Sequence, residues 1–432
     1  MFVISMKNNL KKICITLSVV ITLIISQTVH TADNYQVNDL GKLGGNNAES
    51  FAINEEGLIV GFSTGADFGS HAFVYQNGVM VDLGFLVSEA FPEGSSAAFG
   101  LNNNNIAVGF STQSIDTGDL DEDGDPILID INVGTYFDIA NLTVNTLPLV
   151  DPDLPREVRG ISVNDNNIIV GFASINPPDD VDANGDPTSA LFDRGFFYDI
   201  NTDQMTILGS LDNTDGDIVI LRAINNDDFA VGISTQLVNE INTTQVFSVD
   251  LSAPDDLTRL DIFGGQIQQP WDVNAAKKVV GSARTEDNQN VQAYLYDVQT
   301  ATATSLGNLN ENFRFSEAFG INDSDQIVGT SQIQNSPSTF HAFIYEDGGM
   351  KDLSQLIGCD TGWILQEARA INNLGIITGN GIFEGERRAY SLTPLAGIAP
   401  DCAELEDSSG SGSIPLSGLF SLLLLSLCRK RK

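Results

Sequence analysis

Seven times along this chain an apolar residue is followed by Asn, six further residues and Gly. The segments begin "AINEEGLIVGFS" at Ala52, "GLNNNNIAVGFS" at Gly100, "SVNDNNIIVGFA" at Ser162 and "AINNDDFAVGIS" at Ala223. They continue with "DVNAAKKVVGSA" at Asp272, "GINDSDQIVGTS" at Gly320 and "AINNLGIITGNG" at Ala370. Self-similarity on this scale signals a propeller or a solenoid array. Each copy reads as a β-hairpin, with small and β-branched residues before the Asn and an Ile/Val-rich run before the Gly. The Asn (54, 102, 164, 225, 274, 322, 372) is placed to cap the turn through its side-chain carbonyl. Three residues later stand Gly57, Asn105, Asn167, Asp228, Lys277, Asp325 and Gly375. Six of these tolerate the positive φ that a four-residue loop needs. Lys277 is the exception and is expected to be the strained or differently shaped copy. In the run Asn102–Asn105, the first and last residues thus have turn roles, and Asn103 and Asn104 have none. The repeat Gly is expected where strand backbones crowd together.

A second unit follows each hairpin, as in "HAFVYQNGVMVDLG" from His71 and "AYLYDVQTATATSLG" from Ala293. It consists of an aromatic strand, a polar turn and a strand ending in Leu or Leu-Gly, which makes four strands per repeat. Successive repeat asparagines lie 48–62 residues apart. The last copy stops after its third strand, at "AYSLTP". Near the other end, "NYQVNDLG" (Asn34–Gly41) reads as an unpartnered fourth strand. A closed ring uses that strand to complete its last unit, whereas an open array has no such need. The expected fold is therefore an all-β, seven-bladed β-propeller with four-stranded blades, sealed by the N-terminal strand. A β-helix or open array is the structural alternative. The aromatic third strands (Phe73, Tyr75, Phe196, Phe197, Phe343, Tyr345) are expected to fill the core between blades.

The "HAF" triplets at His71–Phe73 and His341–Phe343 resemble the HAF-repeat family of extracellular proteins. That resemblance implies an extracellular location and no established activity. The ends of the chain point the same way. Lys7, Lys11 and Lys12 precede an apolar stretch, Ile13–Ile25, in the pattern of a secretory signal peptide ending near Ala32; a retained anchor is the alternative. At the other end, "SSGSGS" leads into "IPLSGLFSLLLLSLC" and four basic residues, Arg429–Lys432. This tail resembles the GlyGly-CTERM sorting signals of Gram-negative bacteria, with "GSGS" where a Gly-Gly pair is usual; a plain tail anchor is the alternative. The domain reading is residues 1–32 signal peptide, 33–400 propeller, 401–413 linker and 414–432 sorting or transmembrane tail. The protein is expected to be secreted or held at the outer surface of a Gram-negative cell, meeting the membrane only through these segments and a C-terminal sorting protease as a partner. Cys14 and Cys428 fall in the targeting segments, which leaves Cys359 and Cys402 as the expected disulfide. The net charge of −36 argues against nucleic acid, which needs Lys and Arg clusters.

Two insertions, both between second and third strands, carry calcium-loop chemistry. "DLDEDGDPILID" and "DVDANGDPTSA" each match D-x-[DN]-x-[DN]-G-D, in which alternate oxygens converge on a hard cation while Gly allows a sharp reversal. The expected Ca²⁺ ligands are Asp119, Asp121, Asp123, Asp125 through its carbonyl, and Asp130 in the twelfth position. In the second loop they are Asp180, Asp182, Asn184 and Asp186. No nucleophile motif or His-rich metal cluster is visible, and the mature chain keeps only His71 and His341. The expected function is a binding module for an extracellular protein or glycan, with calcium-stabilised loops. The alternative is an extracellular carbohydrate-active hydrolase or lyase using a carboxylate pair in the propeller funnel.

Overall fold

The computed structural model describes residues 34–66, 69–86, 94–120, 124–150, 157–175, 192–211, 217–238, 241–335 and 338–396. Its strands form seven antiparallel four-stranded sheets. Six of them are consecutive in the chain: blades 1 to 6 occupy residues 44–84, 96–146, 158–207, 218–260, 264–307 and 316–352. Blade 7 takes Trp363–Ile371, Ile377–Phe383 and Glu386–Leu395 and adds Asn34–Asp39 as its outermost strand. That strand pairs from Asn34 opposite Leu395 to Asp39 opposite Tyr390. The Arg388 guanidinium ties it further to Asp39 at 3.0 Å. The first strands of successive blades touch in a closed circle, blade 7 to blade 1 included. The seven-bladed ring read from the repeats, with its N-terminal closure, is the observed fold.

Apolar side chains lie between blades rather than in one central core. Each of seven clusters joins neighbouring sheets: Val280, Ala293 and Leu306 of blade 5 meet Ala318, Ile327 and Phe343 of blade 6. Leu40 and Ala389 of blade 7 likewise meet Ile59 and Phe73 of blade 1. Phe73, Phe196 and Phe343 are fully buried, as the alternating aromatic strands predict. A propeller blade is covered on both faces by its neighbours, so the pattern rewards burial on each.

The repeat asparagines bind these layers at one end of the axis. Each is buried, with 3–6 % exposure. The Oδ1 of Asn102 accepts the N–H groups of Asn104 (3.0 Å) and Ile106 (2.9 Å), which closes its turn. Its Nδ2 donates across the blade boundary to the carbonyl of Asn164 at 2.9 Å. The same donation runs from Asn164 to Asn225, to Asn274, to Asn322 and to Asn372. Asn372 then donates to Asn54 at 3.0 Å, and Asn54 to Asn102 at 3.3 Å. The circle is complete and runs in one sense.

A second circle lies one residue further on. The backbone N–H of Glu55 donates to Asn103 Oδ1, and that of Asn103 to Asp165. It is interrupted where blade 5 carries Ala275, which has no side-chain acceptor for Asn226. Asn103 and Asn104 therefore do have roles: Asn104 Nδ2 donates to the Asp165 carbonyl (2.7 Å) and Asn167 Oδ1 (3.0 Å).

All seven residues three beyond the repeat Asn have positive φ, Lys277 among them at 58°. Contrary to expectation, its turn has the same shape as the others. The Lys277 N–H donates to the Asn274 carbonyl at 3.0 Å and Lys278 N–H to Asn274 Oδ1 at 3.0 Å, so the turn imposes its geometry. The Lys277 ammonium rests 4.6 Å from the centroid of Phe229. The left-handed conformation costs an L-residue about 1–2 kcal/mol, and the turn bonds hold it there.

Asn372→Ala should lower stability by about 2–4 kcal/mol, since it strands two N–H groups and removes the link to blade 1. Asn372→Asp should be destabilised at pH 7, where a carboxylate faces the Asn54 carbonyl. It should regain stability toward pH 4, where the protonated acid donates in place of the amide. Urea denaturation of both variants at the two pH values checks this.

Candidate functional site: the central channel

Each first strand is bulged three residues before the repeat Asn, and those of blades 1, 5 and 7 have a second irregularity nearer their start. The ladder skips Phe51, Phe99, Ile161 and Arg222 in blades 1 to 4. In blades 5 to 7 it skips Trp271, Phe319 and Arg369. A bulge frees one side chain from the pleat and re-aims it. All seven of these side chains line a single cavity of about 430 Å³ on the propeller axis. The repeat Gly explains how the bulge fits. A Cβ on Gly61, Gly109 or Gly329 would collide with the carbonyl oxygen of Glu49, Ala97 or Glu317, the residue two before the bulge, and the other four copies behave alike. Asn, bulge and Gly are thus one device.

The bulged residues form a wall of rings and guanidinium groups. Arg222 lies 5.3 Å from the Trp271 ring centre, and Trp271 meets Phe319 edge-on at 5.7 Å. Arg369 sits over Phe319 (4.4 Å) and Phe51 (5.3 Å). Phe51 meets Phe99 edge-on at 5.3 Å. A guanidinium over an aromatic face is held by the ring quadrupole.

Two residues earlier on the same strands stand Glu49, Ala97, Arg159, Ile220, Gln269, Glu317 and Glu367. The carboxylates of this set sit on blades 1, 6 and 7 and are engaged. Arg387 donates from Nε to Glu49 at 2.7 Å and from Nη2 to Glu367 at 3.3 Å. Arg369 lies 4.0 Å from Glu367. Glu317 accepts from Ser282 Oγ at 2.9 Å, and burial pushes its carboxyl up from the usual range. On the other side, Arg159 bonds Glu157 at 2.5 Å. Arg222 makes no hydrogen bond to a described residue, and its Nε is buried without an acceptor. Burial, then the nearby Arg159 charge, lowers the Arg222 pKa from its ordinary value.

Asp272, beside Trp271, accepts the N–H groups of Val273 (2.8 Å) and Ile321 (3.0 Å). Burial pushes its carboxyl up to about 7, with Asp323 adding to the rise. A carboxyl raised above its unfolded value makes stability fall as pH rises from about 4 to 7. Asp272→Asn removes the charge but keeps only one of the two accepting oxygens, since its NH2 cannot accept the other N–H. The melting temperature of wild type should therefore fall between pH 4 and pH 8 by more than that of this variant, whichever of the two is the more stable at pH 4.

The other sequence-predicted residues lie elsewhere. His71 and His341 bond Asp82 (2.8 Å) and Asp352 (2.7 Å) on the next strand of blades 1 and 6, so the HAF histidines fasten outer strands together. In the first acidic insertion Asp119 is the last residue but one of the strand Ile106–Leu120 and Gly124 has φ 85°; Asp121 and Asp123 lie outside the described residues. Asp125 is exposed. Asp130 is carried five residues along an extended strand, roughly 16 Å from Asp125, where it accepts from Ser114 Oγ. Asp180, Asp182, Asn184 and Asp186 lie outside the described residues. Cys359 is disulfide-bonded, and Cys402 also lies outside them. Among the described residues no group of three or more His, Cys, Asp or Glu could hold a metal. Sequence reasoning missed the channel wall, although large side chains at a fixed offset before the Asn were its visible signal.

No curated protein matches the chain in sequence. Among solved structures the chain is similar to an oligogalacturonate lyase in complex with manganese, at 12 % identity and TM-score 0.51, covering 85 % of this chain and 95 % of that one. It is also similar to an oligogalacturonate lyase from Vibrio parahaemolyticus, at 11 % identity and TM-score 0.50, covering 84 % and 98 %. At such identities the likeness is one of fold. Residues 212–391, from just before blade 4 into the last strand of blade 7, match the model of a family described as "Protein of unknown function (DUF3466)".

Proposed function

We propose that this propeller is a secreted, surface-sorted binding module that takes its ligand in the central channel. One observation carries the reading: seven bulged side chains, four of them aromatic, converge on one cavity of about 430 Å³. Binding sites are typically concave and mostly apolar, with a few convergent polar groups. The signal-peptide and sorting-tail patterns and the two HAF triplets support an extracellular setting, with the ligand an extracellular protein or glycan.

The competing reading is a carbohydrate-active hydrolase or lyase, an activity that the names of the two similar structures bring to mind. A glycosidase needs one carboxyl to donate a proton and a second to act as base or nucleophile. Glu49 and Glu367 are both bonded to one guanidinium, Arg387, and Glu317 is held by Ser282. That arrangement favours recognition over catalysis. Calcium is proposed as a stabiliser of the two acidic insertions, through Asp119, Asp121, Asp123 and Asp125 in the first and Asp180, Asp182, Asn184 and Asp186 in the second. With Asp130 in a strand, the first loop would take its remaining ligands from water.

The secreted protein, applied with and without calcium to an array of glycans and extracellular proteins, should capture a ligand. Trp271→Ala should abolish that capture while leaving the melting temperature within a few degrees of wild type. Undiminished capture by the variant would move the site off the channel. Calorimetric titration should show heat on calcium addition and a raised melting temperature; neither effect would appear if the insertions are simply solvated.

A further inference from the structure

Arg222 differs from the other channel arginines. Arg369 and Arg387 face Glu367, and Arg387 also binds Glu49. Arg159 has Glu157, and its guanidinium lies 5.1 Å from the Phe110 ring and 5.7 Å from that of Phe172. Arg222 has a ring face and no described carboxylate or hydrogen-bond acceptor, and the charge that acts on it is a second guanidinium. The Nε atoms of both Arg159 and Arg222 are buried without acceptors among the described residues. A desolvated cation beside a like charge is unfavourable unless an anion joins it. Blades 3 and 4 therefore leave one positive charge open to the cavity (Arg159 and Arg222 against Glu157). Among the lining residues the carboxylate is that of Asp272, beside Trp271, and its two oxygens already accept the N–H groups of Val273 and Ile321.

Resting on the channel-binding reading above, we propose that the cavity takes a small ring compound bearing a single carboxylate. The carboxylate lies on the Arg222 guanidinium, assisted by Arg159, and the ring lies against Trp271 and its aromatic neighbours. The planar guanidinium fork matches a carboxylate in two parallel hydrogen bonds. The aromatic wall offers flat faces to a ring, and the volume of about 430 Å³ suits a ligand of one or two rings. Asp272, in the lining next to Trp271, disfavours a second acid group at the ring. The chain's own charge of −36 turns away polyanions, so one carboxylate on a small body is the fitting pattern. A uronic acid at the end of a glycan and an aromatic acid share this chemistry.

Titration calorimetry on the full secreted protein separates these sources, with glucuronate and benzoate as the acids and glucose and benzyl alcohol as their neutral counterparts. At least one acid should bind about tenfold or more tightly than its counterpart, and whichever acid does so identifies the source. Arg222→Gln should weaken that acid about tenfold while leaving the neutral compound unchanged, and Arg222→Lys should fall between. Unchanged melting temperatures show that both variants fold. Equal affinity for acid and neutral compound, no binding of either acid, or an Arg222→Gln variant that binds the acid like wild type would each overturn the inference. A neutral array ligand lost on Trp271→Ala would leave the channel reading standing while this one fails; array capture that persists in Trp271→Ala would remove the channel reading itself.

Discussion

Seven buried amides, each donating to the backbone carbonyl of the next, hold this ring in register. A propeller blade has little to pack against except its two neighbours, so the inter-blade contacts must fix angle as well as proximity. Apolar clusters such as the one joining blades 5 and 6 supply burial, which is not directional. The asparagine circle supplies direction. Each side chain satisfies its own turn through Oδ1 and its neighbour through Nδ2, so every buried polar atom of the device has a partner. Such groups are costly when orphaned and specifying when complete. The same residue therefore ends one hairpin and positions the next blade.

The distance from bulge to Gly along each repeat is ten residues, and those ten residues couple the scaffold to the channel. The bulge lifts one side chain out of the ladder, and the Gly on the facing strand makes room for the carbonyl displaced by it. The bulged position belongs neither to an inter-blade cluster nor to a strand pair. Its side chain is released from the ladder and meets mainly the other bulged side chains, and Phe, Ile, Trp and Arg all occupy it on an otherwise uniform frame. Lining the channel and closing the turns are thus assigned to neighbouring residues of one motif.

Much of this was legible from residue order alone. The repeat count, the four-strand unit and the completion of blade 7 by Asn34–Asp39 follow from motif spacing, because turn chemistry and alternation are local. The aromatic third strands read correctly as core for the same reason. Lys277 did not, since the turn hydrogen bonds outweigh the preference of a single side chain for negative φ. The bulges were hidden: a strand that skips one rung keeps the composition of one that does not, and only the pairing partner reveals the skip. Asp130 shows what spacing leaves out: it falls at the twelfth position of a loop pattern, and the structure holds it in the strand Pro126–Asp138.

The circle of amides also has a kinetic side. Its last link joins Asn372 to Asn54 across 318 residues, and the outermost strand of blade 7 comes from the other end of the chain. Contacts of such long range form slowly, because most of the loop entropy is lost before they form. The first six blades are built from neighbouring strands and can assemble as the chain emerges. The final seal waits for the whole propeller. During folding the protein therefore passes through a stage in which a nearly complete ring exposes two unmated blade faces, and ring closure marks the end of that vulnerable interval.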